Sequence, residues 1–158
     1  MKKTVAAPVD IDLQPGYAIR RLHQISVGIF LQSVGEGGVT PVQYAALQVV
    51  SNLPGIDQRT LARNIALDTS TIGGVVDRLE ARGWLERRTS PQDRRARQLF
   101  LTRAGDQTLA ETIPAMLSAQ EQILAPLTES QRKVFMRMLQ VLVTQNNEMS
   151  RAPSEPMK

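Results

Sequence analysis

The most constraining feature of the sequence lies between Asp57 and residue 101, where two short helical patterns are followed by two short strand candidates. The second helical pattern places apolar residues at i, i+3, i+4 and i+7 and closes at Gly83, where a C-terminal helix glycine belongs. These apolar residues are Ile72, Val75, Val76 and Leu79. The strand candidates span residues 84–88 and 98–101, and turn-forming residues separate them.

Helical patterns also flank this segment on both sides. A first helix begins near Gly16 and fades at the glycine-rich run 35–38, and Thr40 followed by proline starts a second helix. After the strands, Thr102 caps a long helix whose Pro114 and Pro126 predict a bend or break, and a capping box at Thr128 starts a last helix. The sequence therefore predicts a mainly α fold with a small β-wing, a winged helix-turn-helix between apolar terminal helices.

Charge and composition narrow the function classes. Residues 84–103 contain six arginines against two acids, a surplus of +4 that equals the net charge of the whole chain. A local basic patch of this kind is typical of proteins that bind a polyanion. The chain has no cysteine and one histidine, so we expect neither a cofactor nor a metal centre. No export signal or bilayer-length apolar run is visible, which predicts a cytoplasmic protein without membrane contact.

The second short helix has the residue types of a recognition helix on its outward face. The residues that point away from the apolar stripe are Ser70, Gly74, Asp77, Arg78 and Ala81, with Thr71 and Arg82 on the flank and Gly73 directly before Gly74. A helix in the major groove reaches base edges with its N-terminal residues, and side-chain-free glycines let the backbone approach DNA closely. The alternative is an ordinary amphipathic helix with a solvated polar face.

The loop between the strands carries Asp93, Arg94, Arg95 and Arg97. A hairpin tip with this charge can insert arginine into a narrow minor groove. Asp93 does not favour phosphate, and we expect it to orient a neighbouring arginine through a charge-assisted pair. The alternative is a charged loop that only keeps the protein in solution.

Three segments together resemble the MarR family of bacterial transcription regulators. They are residues 77–87 (DRLEARGWLER), 93–97 (DRRAR) and 101–105 (LTRAG), and the resemblance extends over about residues 16–150. It implies a homodimer that binds a pseudo-palindromic DNA operator, usually as a repressor, and is released by a small ligand. The glycine pair 73–74 departs from the polar pair usual in the family, so a base contact expected there is missing or passes through water. The peroxide-sensing branch is excluded because it needs cysteine.

The residue patterns and the resemblance together predict a division of the chain. We expect a flexible arm over 1–15, a dimerisation and ligand helix over 16–38 and a DNA-binding domain over 39–103. Two C-terminal dimerisation helices over 104–150 and a loose tail over 151–158 complete the division. In it, the recognition helix spans 69–82 and the wing 90–97.

A ligand site is expected beside the first helix, since the family often binds anionic aromatic compounds between its dimerisation helices and its winged domain. The candidate residues are Arg20, His23, Ser26, Phe30 and Tyr44. They combine an apolar wall with a donor and a cation, which suits a small aromatic carboxylate. The alternative is that His23 and Phe30 belong to the dimer interface and Arg20 is solvated.

Two other function classes are alternatives to a regulator. A winged helix can serve as a protein-interaction module, in which case the basic loop meets an acidic partner. An enzyme is not expected, because the sequence contains no phosphate loop, metal-ligand cluster or nucleophile–base pair with matched spacing.

Overall fold

The computed structural model describes residues 9–91, 93 and 96–154. Six α-helices and three short strands make up its regular structure, with 3-10 turns at Ile11–Leu13 and Asn147–Met149. The helices are α1 (Pro15–Val34), α2 (Pro41–Asn52), α3 (Gln58–Asn64), α4 (Thr69–Ala81), α5 (Arg103–Leu124) and α6 (Glu129–Gln145), and the strands are β1 (Ile56–Asp57), β2 (Leu85–Thr89) and β3 (Arg97–Leu101). This order is the winged helix-turn-helix that the sequence predicts.

Side-chain caps explain where most helices begin. Thr40 and Gln43 form a reciprocal capping box at α2, and Thr128 with Gln131 forms the expected one at α6. Thr102 accepts from the Gly105 backbone N–H at the start of α5, as its position predicted. Each cap satisfies a backbone N–H group that the first turn of a helix leaves without a partner.

The sheet contains one strand more than the sequence predicted. Its order is β1-β3-β2, with antiparallel neighbours, and Ile56 pairs with Leu99. Gly55, at φ 86°, donates its N–H to the carbonyl oxygen of Leu99 at 2.9 Å and brings β1 onto β3. A two-residue strand just before a helix cap is too short to show an alternating pattern, which is why sequence analysis missed it.

The hydrophobic core lies inside the winged domain. Its largest fully buried side chains come from α2, α3, α4 and the sheet, and include Leu47, Leu61, Ile72, Leu79, Leu85 and Leu99. From α5, Gly105 abuts the winged domain so closely that a Cβ there would lie 1.9 Å from the Trp84 carbonyl oxygen. The start of α5 is therefore fixed against the wing.

Parts of the predicted arm and tail form local structure. Asp10 caps a 3-10 turn through the Asp12 N–H, and Pro15 starts α1 at the position where proline is favoured in a helix. At the other end, Ser154 donates its backbone N–H to Oδ1 of Asn147 at 3.0 Å and folds residues 147–154 into a hook. Residues 1–8 and 155–158 lie outside the described residues.

The break expected at Pro114 is absent, because α5 continues past it to Leu124. Proline removes the bond to the carbonyl of Ala110, four residues earlier, and both residues are exposed, so water can take the missing place. Pro126 follows the C-terminal end of α5, where a proline does not interrupt the helix.

The last helix differs from the other α-helices, since none of its residues is buried although it is rich in apolar side chains. Its exposed apolar residues are Val134, Met136, Met138, Val141, Leu142 and Val143. Among the described residues, none of the helices is both long enough and apolar enough to cross a membrane.

Candidate DNA-binding surface

The N-terminus of α4 is organised by Asp68. Its Oδ1 accepts the backbone N–H groups of Ser70 at 3.1 Å and Thr71 at 2.9 Å, and its Oδ2 accepts the Thr71 hydroxyl at 2.7 Å. The Ser70 hydroxyl also donates to Oδ1. Hydrogen bonds from the Ser70 and Thr71 side chains, followed by those from the backbone, lower the pKa of Asp68 to about 2. The carboxylate is therefore ionised throughout the neutral range.

The outward face of α4 matches the helix-face prediction. Ser70, Thr71 and Arg78 are exposed, and Gly73 and Gly74 are half-buried. A Cβ at Gly73 would meet Nε2 of Gln58 at 3.6 Å, an ordinary van der Waals contact. A Cβ at Gly74 would lie 3.4 Å from Nη1 of Arg78, so the Arg78 side chain folds back over Gly74. The glycines thus leave two positions without side chains between the hydroxyls and Arg78.

Arg87 joins the recognition helix to the wing. From β2 it donates to Asp77 at 2.6 Å and to Glu80, both on α4. Although burial alone would lower the pKa of Arg87, the bonds to Asp77 and Glu80 raise it. Arg87 is one of the six arginines in residues 84–103, but its positive charge is balanced by two carboxylates of α4. Its partners lie ten and seven residues earlier, a spacing with no simple periodic signal.

The other charged side chains described in the outer half of the wing are exposed to solvent. Arg97 is exposed and donates to Oγ1 of Thr89 across the hairpin at 2.7 Å. Asp93 is exposed, and its carbonyl oxygen accepts the Ala96 N–H at 3.0 Å in the connecting turn. Arg88 pairs with Glu86 and lies over the Phe100 ring, 4.5 Å from its centroid. Arg94 and Arg95 lie outside the described residues.

Arg82 ties the end of α4 to the loop between α1 and α2, a role that sequence analysis missed. Its guanidinium stacks on the Trp84 ring at 3.6 Å and donates to the carbonyl oxygens of Gly37 and Gly38. The Arg-Gly-Trp order is a local signal for the stacking, because a tight glycine turn returns the aromatic ring toward the arginine. The bond to residues 37–38 has no such signal.

The predicted ligand residues are brought together only in part. The rings of Phe30 and Tyr44 lie 6.1 Å apart, and burial raises the pKa of the Tyr44 phenol. The Ser26 hydroxyl donates to the His23 carbonyl oxygen at 2.8 Å, and the His23 side chain is exposed. Arg20 turns toward its own helix, where it donates to Gln24 at 3.0 Å and lies over the Tyr17 ring.

Cavities lie on either side of the winged domain. One of about 440 Å³ separates the α3–α4 turn from the C-terminal hook and is lined by Leu67, Asp68 and Arg151, among others. Another of about 270 Å³ lies between the α1–α2 loop, Trp84 and α5. Within the described ranges, no group of three or more histidine, cysteine or acidic residues is arranged to hold a metal ion.

Known proteins with a similar sequence identify the family of this chain. Residues 39–96 match the model of the MarR family. The chain is 39% identical over 111 residues to a protein described as a transcriptional regulator for the hcr operon of Thauera aromatica, covering 70% of this chain and 67% of that protein. The chain belongs to the MarR family. It is therefore a transcriptional regulator with a winged helix-turn-helix, as the three sequence segments indicated.

Solved MarR-type structures extend the likeness to nearly the whole chain. The PcaV regulator of Streptomyces coelicolor, solved with its natural ligand, has a TM-score of 0.81 and 35% identity, over 87% of this chain and 97% of that one. BpsR of Bordetella bronchiseptica, in a structure addressing how 6-hydroxynicotinic acid regulates its DNA binding, has a TM-score of 0.80 and 26% identity. That match covers 86% of this chain and 97% of BpsR.

Proposed function

We propose that this MarR-family regulator is a homodimeric repressor that binds a pseudo-palindromic operator and is released by a small aromatic carboxylate. In this proposal α4 enters the major groove with Ser70, Thr71, Gly73, Gly74 and Arg78. The wing enters the minor groove with the charges of Asp93, Arg94, Arg95 and Arg97. The observation that carries the proposal is the exposed N-terminal half of α4, presented beside an arginine-bearing hairpin.

Rigid coupling of the two reading elements supports this docking. Arg87 holds β2 against Asp77 and Glu80 of α4, so the wing and the recognition helix keep a fixed separation. Two elements that enter adjacent grooves need such a fixed geometry, because base contacts tolerate little displacement.

Exposed apolar side chains at the chain ends support a dimer. On α6 and on α1 they include Leu142, Val143, Ile19 and Ile25, all about half exposed or more. Several apolar side chains left exposed on the same helices are typical of an interaction site. A second copy with the same helices offers a self-complementary partner, as two-fold symmetry requires.

An aromatic carboxylate is supported by the residues beside α1. Arg20 offers a cation on the exposed side of α1. Further along the helix, the buried Phe30 ring lies 6.1 Å from the half-buried Tyr44 ring and supplies an apolar, aromatic environment. Arginine binds carboxylates through paired N–H donors. The compound in the BpsR study, 6-hydroxynicotinic acid, is itself an aromatic acid, which favours this class for the present chain.

The test is fluorescence anisotropy with a labelled duplex from the gene's own upstream region and a scrambled duplex, at two salt concentrations. We expect binding that prefers the native duplex and weakens steeply with salt, since each neutralised phosphate adds about 0.9 to the log–log slope. Arg78→Ala and Arg97→Ala should lower affinity, whereas Arg21→Ala on α1 should not. Equal, feeble binding to native, scrambled and genomic duplexes contradicts the proposal and favours a protein-interaction module.

The effector arm adds benzoate, 4-hydroxybenzoate and 6-hydroxynicotinate to the preformed complex. Release by at least one of these acids is expected, and Arg20→Ala should abolish it while Arg21→Ala, the matched arginine next along α1, preserves it. Release that persists unchanged in Arg20→Ala would place the effector elsewhere.

A further inference from the structure

The hydroxyl groups of Ser70 and Thr71 both direct their protons inward. The Thr71 hydroxyl donates to Oδ2 of Asp68 at 2.7 Å, and the Ser70 hydroxyl donates to Oδ1 of the same carboxylate. An ionised carboxylate only accepts hydrogen bonds, so in each pair the proton must come from the hydroxyl. Both side chains are exposed on the helix surface.

What remains on the outer side of each hydroxyl is an oxygen lone pair. A serine or threonine hydroxyl has a single proton and two acceptor positions, and the proton is already committed. Toward a groove of DNA, Ser70 and Thr71 can therefore accept but not donate. A free serine or threonine hydroxyl can pair with either a donor or an acceptor on a base. With their protons held by Asp68, Ser70 and Thr71 can pair only with a donor.

In the major groove, the base edges differ in whether they present hydrogen-bond donors or acceptors, and an acceptor-only hydroxyl needs a donor. Adenine and cytosine present exocyclic amino groups, N6 and N4, which donate hydrogen bonds. Guanine and thymine present acceptors there, which would face the lone pairs of Ser70 and Thr71 without a proton between them.

We propose that Asp68 sets the sequence preference of the recognition helix, by holding the Ser70 and Thr71 hydroxyls as acceptors that select the amino groups of adenine or cytosine. Asp68 is a positioning residue in this role and does not contact DNA. The inference rests on the proposed docking of α4 in the major groove, and it adds which base edges the helix reads.

The first experiment uses the wild-type protein and a duplex that it enriches from a randomised pool. Adenine is replaced by purine and cytosine by 2-pyrimidinone, one position at a time, which deletes the amino group alone. In parallel, 7-deazaadenine and 7-deazaguanine delete an acceptor. We expect amino deletion at one or two positions per half-site to weaken binding by about 5- to 150-fold, and Thr71→Val to be insensitive to one of them.

The second experiment reverses the polarity of one hydroxyl. Asparagine caps helices about as well as aspartate, so Asp68→Asn is expected to preserve α4. With its oxygen on the backbone N–H groups, its amide nitrogen takes the place of Oδ2 and donates to Thr71, whose proton can then turn outward. Selection from the randomised pool should shift at that base pair from adenine or cytosine toward guanine or thymine.

A matched control exists on the neighbouring helix. Asp57 caps α3 with the same arrangement, accepting the Thr60 backbone N–H at 2.9 Å and the Thr60 hydroxyl at 2.6 Å. Asp57→Asn should therefore leave the selected sequence unchanged. Circular dichroism melting of both variants checks that each folds.

The outcomes separate this inference from the proposed function. An enriched sequence whose binding tolerates every amino deletion, or an unchanged preference in folded Asp68→Asn, overturns the inference and leaves operator binding intact. A pool from which no sequence is enriched overturns both.

Discussion

The winged domain and the last helix use similar apolar residues with opposite results. In the winged domain, Leu47, Leu61 and Leu79 are completely buried against one another's helices and the sheet. In α6, Val141, Leu142 and Val143 remain more than half exposed. The winged domain buries its apolar side chains within one chain. Helix α6 has a complete capping box and a helical pattern, but the described part of its own chain does not cover its apolar side chains.

The difference shows that the signals that form a helix are distinct from the surface that buries its apolar face. Capping and periodicity set where α6 begins and how long it runs, and these are local properties. Burial depends on another surface, and here that surface is supplied by a second copy under the proposed function.

The largest effect is expected from truncating the winged core. Leu79→Ala should lower the free energy of unfolding by about 2–5 kcal/mol, because a fully buried leucine leaves a cavity. Leu53→Ala, at a site 39% exposed just after α2, should cost under about 1.5 kcal/mol. Urea denaturation measures both. A small loss at Leu79 would show that the winged core is not the stable centre of the chain.

The next effect concerns the face of α6. Leu142→Glu should weaken dimerisation by about 10- to 150-fold, since about 1.5–3 kcal/mol of apolar burial is lost. Gln140→Glu introduces the same charge on the other side of α6 and should leave dimerisation unchanged. Sedimentation equilibrium measures the dissociation constants. Equal behaviour of the two variants would exclude the Leu142 face from the dimer interface.

A smaller effect is expected at the bond between wing and recognition helix. Arg87→Ala should lower the free energy of unfolding by about 1 kcal/mol, because the half-buried guanidinium bridges two carboxylates. Arg88→Ala removes an exposed pair with Glu86 and should cost less. Thermal denaturation compares the two. If Arg88→Ala costs as much as Arg87→Ala, the bridge to α4 adds nothing to the fold.

A glycine substitution should move stability and binding in opposite directions. Gly73→Ala is expected to raise the free energy of unfolding by about 0.5–1 kcal/mol, since alanine favours helices and the added Cβ finds ordinary contact. It should also weaken operator binding if the backbone approaches DNA there. Gly28→Ala on α1, where a Cβ meets open space, should stabilise without affecting DNA affinity.

The smallest effect is a pH dependence at the cap of α4. Because the pKa of Asp68 is lowered from 3.8 to about 2 in the folded chain, its contribution is complete above pH 4 and is lost as pH falls toward 2. Stability measured between pH 5 and pH 2 should therefore fall less steeply in Asp68→Asn than in the wild type. Parallel curves would contradict the assignment of Asp68 as the titrating cap.

Much of the fold could be predicted because its signals are local. The stripe from Ile72 to Leu79, the glycine at position 83 and the threonine at position 102 each specify a helix or its end within a few residues. The strand at Ile56–Asp57 could not be predicted, because its partner β3 lies more than forty residues away along the chain.

The sequence could predict which residues of the candidate site lie on the surface, but not which hydrogen bonds and ion pairs they form. Ser70, Thr71 and Arg78 lie on the exposed face that their spacing indicates. Two hydrogen bonds depend on long-range packing instead: Arg87 donates to Asp77 of α4, and Arg82 donates to the carbonyl oxygen of Gly38 in the α1–α2 loop. Net charge by segment therefore overstated the basic patch, since Arg87 pairs with two acids of α4 that lie outside residues 84–103.

Hydroxyl-radical footprinting on the gene's upstream DNA tests the central claim most directly, because it reports DNA binding and two-fold symmetry together. The account predicts two protected blocks related by a pseudo-palindrome, with centres about 10 base pairs or a multiple of this apart. A single protected block, or none at protein concentrations where the dimer forms, would contradict it.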